Sequence, residues 1–97
     1  MANLRNLKKD IDYLVGQVVL DCFEYIHAVD GADREGAYEI IADVLGLRNN
    51  LRNRVNHPDG KDNRAMVKKF YHKVGQDLVE GCDKAYDQLN KLIGQAS

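Results

Sequence analysis

Residues 52–60 read Arg52-Asn53-Arg54-Val55-Asn56-His57-Pro58-Asp59-Gly60. How this stretch is read decides whether the second half of the chain is one helical rod or two. Proline biases the residue before it away from helical angles, so a helix arriving from the left ends near residue 56. Pro58-Asp59-Gly60 then makes a turn, proline supplying a fixed φ and glycine free to take φ > 0. To the left, Ala37, Ile40, Val44, Leu47, Leu51 and Val55 recur at helical spacing, with Ile41 beside them. Asp33 is placed to cap the start of that helix. Gly36 and Gly46 each weaken it by about 1 kcal/mol relative to alanine. To the right, Asp59 or Asp62 can cap a third helix. It carries Met66, Phe70, Val74, Leu78, Cys82 and Ala85 and runs on through Leu89 and Ile93, ending by Gly94.

The first helix is read from two stripes. Leu4, Leu7, Ile11, Leu14 and Val18 form one seam, and Val15, Val19, Cys22, Phe23 and Ile26 join it midway. That width predicts a helix contacting two neighbours. It should run from about Asn3 to Ala28 and stop near Asp30-Gly31, where glycine takes the left-handed conformation. There is no β-type alternation, internal repeat or low-complexity segment. The fold class is therefore all-α, a bundle of three long helices forming a single domain over residues 1–97. Helices of roughly 25, 24 and 31 residues span about 36–46 Å at 1.5 Å per residue. In a lone chain such rods leave long apolar faces thinly covered, and pairing two chains would cover them. The expectation is a homodimer.

Composition agrees with a soluble domain, at 44% hydrophobic and 30% charged residues over 97 positions. No apolar run is long enough for a membrane span. The opening "MANLRNLKKDID" carries charge where a secretion signal needs apolar residues, which points to the cytoplasm. Cys22 and Cys82 form no Cys-x-x-Cys spacing and fall at semi-apolar helical positions, so buried reduced thiols are expected. The net charge of −1 hides an asymmetry. Between Asp10 and Leu47 nine acidic residues stand against Arg34 alone, whereas between Arg48 and Lys73 eight basic residues stand against Asp59 and Asp62.

The basic segment has two readings. Arg48, Arg52, Arg54 and His57 suit a helix C-terminus, whose partial negative charge favours cations. The same rule does not account for Lys61, Arg64, Lys68 and Lys69, which open the next helix where acids are preferred. Lys61, Arg64, Lys68 and His72 follow at spacings of three and four and so share one stripe. Cations ending one helix and starting the next should meet at one end of the bundle. The anion-binding candidates are thus Arg48, Arg54, Lys61, Arg64, Lys68, Lys69 and His72, for a partner that is RNA or an acidic protein. The alternative for these residues is a solvated charged face.

Arg52-Asn53-x-Val55-x-His57 resembles the R-N-x-x-x-H signature of HEPN-type domains, small all-helical dimers that include many metal-independent ribonucleases. That resemblance implies a site built across a dimer interface from two copies of the motif. In it the ribose 2′-hydroxyl attacks the adjacent phosphodiester to leave a 2′,3′-cyclic phosphate. His57 would then handle the proton, Arg52 would stabilise charge on the phosphoryl oxygens, and Asn53 would orient them. The residue types suit the chemistry, since histidine titrates near neutrality and arginine is a permanently charged fork matched to phosphate. On one uninterrupted helix positions 52 and 57 point about 140° apart. Convergence therefore needs a helix break just before His57 or a partner chain.

Other chemistry is thinly represented. His27, His57, His72, Cys22 and Cys82 show no ligand spacing for a metal, and no Glu-x-x-His appears. Asp59-Gly60-Lys61-Asp62-Asn63 has a lysine where a calcium loop needs an oxygen ligand. No cofactor motif is present. Tyr71 lies beside the basic stripe, placed either to stack on a base or to pack at the boundary of the core. Two functions from different classes stand together: a non-catalytic self-associating module with a basic end, and a HEPN-type ribonuclease.

Overall fold

The computed structural model describes residues 4–58, 60 and 62–96. They form α1 (Leu4–Ala28), α2 (Arg34–Asn56) and α3 (Arg64–Ala96), and no strand occurs among the described residues. α1 stops after the main chain turns at Val29, whose N–H reaches the Tyr25 carbonyl at 3.1 Å. Gly31 at φ +74° and Gly60 at φ +73° supply the left-handed turns that bring each next helix back. The Asp33 carboxylate caps α2 by accepting from the Gly36 N–H at 2.9 Å. The Asp33 N–H in turn donates to the Tyr25 hydroxyl at 2.7 Å, which ties the turn to α1.

α2 ends as Pro58 dictates. His57 leaves the helix at φ −132°, ψ 65°, and Gly36 and Gly46 do not interrupt the helix before it. The cap of α3 is Asn63, not Asp62. Its Oδ1 accepts from the N–H groups of Ala65 and Met66 at 3.0 and 3.2 Å, and its carbonyl accepts from Val67 at 3.0 Å. A capping side chain must sit directly before the first helical residue, so Asp62 stands one position early, and Asp59 lies outside the described residues. α3 also continues through Gly94 to Ala96, because Gly94 keeps an ordinary φ.

The three helices pack mutually in an up-down-up order, so α1 and α3 run parallel with α2 antiparallel to both. One apolar residue from nearly every turn points inward. Ile11 and Val18 of α1, Leu51 and Val55 of α2 and Val74 of α3 are fully buried. Cys22 and Cys82 sit in this core as free thiols, and burial pushes both up from their ordinary range. At Gly81 an added Cβ would collide with the Leu47 side chain, so the missing side chain sets how closely α3 approaches α2. The Tyr86 hydroxyl donates to Asp21 at 2.7 Å and fixes the register of α3 on α1. The product is a rod of 54 × 20 × 17 Å.

Candidate interaction surface at the basic end

The described cations of residues 48–73 lie on the last turns of α2 and the first turns of α3, and all but Lys69 border one of three seams between helices. In the α1–α2 seam a single carboxylate, Asp12, takes Arg48 Nε on Oδ1 at 2.9 Å and Arg52 Nη1 on Oδ2 at 2.7 Å. The two arginines lie one turn apart on α2, so both forks reach the same acid. In the α2–α3 seam Arg54 Nη1 meets Asp77 Oδ2 at 2.8 Å and Lys73 Nζ meets Oδ1 at 3.1 Å. The hydrogen bond from Arg54, with Lys73 beside it, holds the Asp77 carboxyl below its usual range. The Arg54 guanidinium also stands 5.9 Å from the centre of the Phe70 ring, which packs edge-on to Tyr71 at 5.8 Å.

The third seam, between α1 and α3, is open. A groove of about 990 Å³ lies there, with Leu7, Leu14, Val67, Tyr71 and Val79 as its apolar lining. Arg64, Lys68 and His72 stand along its α3 wall and Asp10 on its α1 wall. Gly75 sits mid-groove, where an added Cβ would meet nothing within 4 Å. Arg64, Lys68, Lys69 and His72 are exposed, and none is in an ion pair among the described residues. Lys69 does not line the groove, and Lys61 lies outside the described residues. Tyr71 is half-buried against Phe70 with its ring on the groove.

The structure places the members of the Arg52/Asn53/His57 motif apart in role. Arg52 is committed to Asp12 on α1. The helix does break before His57, yet the imidazole folds back so that Nδ1 lies 3.0 Å from the Asn53 carbonyl oxygen. A carbonyl only accepts, so Nδ1 is the donor in this contact. Asn53 is exposed. Among the described residues no three His, Cys, Asp or Glu side chains are placed to share a metal ion. No helix among them is long and apolar enough to cross a membrane. No family model matches the chain, and neither does a curated protein or a solved structure.

Sequence reasoning missed the partners of the basic residues. Asp12 lies thirty-six positions before Arg48 and Asp77 twenty-three after Arg54, so no local spacing announces either pair. The α1 wall of the groove was equally hidden, because Leu7 and Leu14 read as core positions of α1.

Proposed function

We propose that the chain is a non-catalytic, self-associating helical module whose α1–α3 groove holds an anionic macromolecular partner. The division of the cations supports this reading. Arg48, Arg52 and Arg54 are spent on Asp12 and Asp77 as fasteners between helices, whereas Arg64, Lys68 and His72 line an apolar groove and make no ion pair among the described residues. Aliphatic floor with cationic rim is the composition that accepts an acidic amphipathic helix. Leu7, Leu14, Val67 and Val79 outweigh the single phenol ring of Tyr71, so an acidic protein surface fits better than stacked bases. A ribonuclease of HEPN type would need Arg52 released from Asp12 and turned toward phosphate.

The test pairs two assays. RNA incubated in EDTA with the protein and with a folded His57→Ala variant should stay intact in both. An acidic amphipathic peptide should bind with a salt-dependent affinity that falls at least about tenfold in Arg64→Glu/Lys68→Glu. Cleavage leaving cyclic phosphate ends, lost in His57→Ala, would overturn the non-catalytic reading and establish the ribonuclease.

A further inference from the structure

We infer that the outer face of the α1–α2 pair is a second docking surface, and that its partner is a basic amphipathic helix of another protein. This surface lies apart from the α1–α3 groove and does not depend on what fills that groove. On α1, Tyr13, Gly16, Leu20 and Phe23 follow at spacings of three and four. They therefore share about 80° of the helix circumference. On α2, Tyr38, Ile41, Leu45, Arg48 and Arg52 do the same. Ion pairs fix how the two stripes meet. Arg48 and Arg52 end the α2 stripe by reaching Asp12, which lies one turn before Gly16 on α1. Both stripes thus border the α1–α2 seam, and the antiparallel run brings Gly16 level with Leu45 and Leu20 level with Ile41. α3 packs on the other flank of α1, where Asp21 meets Tyr86.

Among the described residues eight large apolar side chains stay exposed, and five of them, Tyr13, Leu20, Phe23, Tyr38 and Leu45, lie on this face. Scattered apolar residues on a surface are ordinary, whereas five in one strip across two helices mark an interaction site. At Gly16 an added Cβ would meet nothing within 4 Å, so the strip dips near its middle. From Tyr13 to Phe23 it runs about 15 Å, close to three turns of a partner helix. The rim decides the sign of that partner. Glu24 lies one turn beyond Leu20, Glu35 one turn before Tyr38, and Asp30 sits in the turn that closes this end of the strip. All three are exposed and none is ion-paired among the described residues. Arg34 is the single base between Asp10 and Leu47. A helix with one apolar face edged by lysine or arginine satisfies both strip and rim. A second copy laid on the same face would bring two acidic rims together, and a nucleic acid or anionic lipid surface would meet carboxylates.

An NMR titration of the protein with an amphipathic Leu/Lys peptide of about four turns tests this. The controls are a Leu/Glu peptide of the same pattern and a scrambled Leu/Lys peptide. The amphipathic Leu/Lys peptide should shift the amide signals of Gly16, Leu20 and Leu45, with an affinity that falls as salt rises. The scrambled peptide should bind at least about tenfold more weakly, and the Leu/Glu peptide should leave those three signals in place. Leu20→Gln/Phe23→Gln should keep its helical circular dichroism, because both side chains are exposed, and lose at least about tenfold in affinity for the Leu/Lys peptide. No binding of that peptide, equal binding of the scrambled one, or full affinity in the double variant would each overturn the proposal. So would shifts confined to Val67 and Val79 of the groove. A dimer of the free protein that dissociates in Leu20→Gln/Phe23→Gln would overturn it too, since a second copy would then cover the face. Binding of an acidic peptide in the groove is read separately, through Arg64→Glu/Lys68→Glu.

Discussion

Tyr86 and Asp21 show how much of this fold hangs on single polar contacts at the edge of the core. The phenol donates to the carboxylate at 2.7 Å, and burial, with the hydrogen bond and charge of Asp21 next, pushes the Tyr86 hydroxyl up to about 12. The neutral phenol is therefore favoured by folding. Its stabilising effect is fully present below pH 10, where a free tyrosine also keeps its proton. It is lost as pH rises from about 10 through 12, because the unfolded chain deprotonates first. Tyr86→Phe should cost about 1–2 kcal/mol at neutral pH, the worth of a hydrogen bond to a charged group at a part-buried site. Urea unfolding at a series of pH values should then show the wild type converging on the variant between pH 10 and 12. Parallel curves would mean that the hydrogen bond carries none of the stability. Asp77 has the opposite sign. Arg54 and Lys73 depress its carboxyl, so its contribution is present above the ordinary carboxylate range and disappears as pH falls through the lowered value. Asp77→Asn should remove that part of the acid unfolding limb and lower the midpoint at pH 7.

The elements were legible in the sequence wherever periodicity or a rigid residue spoke locally. Pro58 placed the end of α2, the apolar stripes gave all three helices, and Asp33 and Gly31 gave the first turn as built. The cap of α3 was read as Asp59 or Asp62 and is Asn63, because Asp62 and Asn63 both have capping side chains and only the main-chain geometry selects between them. Asn63→Ala should therefore destabilise the chain by about 1 kcal/mol, where Asp62→Ala should leave it within about 0.5 kcal/mol. Thermal unfolding with hydrogen exchange at Ala65–Val67 measures both. Equal effects of the two substitutions would place the cap wrongly. The site was less legible. The stripe Arg64, Lys68, His72 could be read at spacings of four, and it does line one wall of a groove. Its opposite wall and the capture of Arg52 by Asp12 depend on where α1 lies against its neighbours, which no short pattern encodes.

At the scale of the whole molecule the decisive property is thinness. A compact domain of this length has a radius of gyration of about 12–13 Å, whereas this chain has 15.7 Å within a rod 54 Å long. Three helices side by side leave each one with a solvent stripe, so any association must be lateral to gain much apolar cover, or end-on to gain little. For two copies associated side by side, small-angle X-ray scattering should give a maximum dimension close to the 54 Å of one rod, with the cross-section about doubled along one direction. End-on contact of the basic end of one rod with the acidic turn of another would instead give about 100 Å and an unchanged cross-section. The second outcome would mean that the charge asymmetry of the sequence works along the axis of the rod and leaves the groove free.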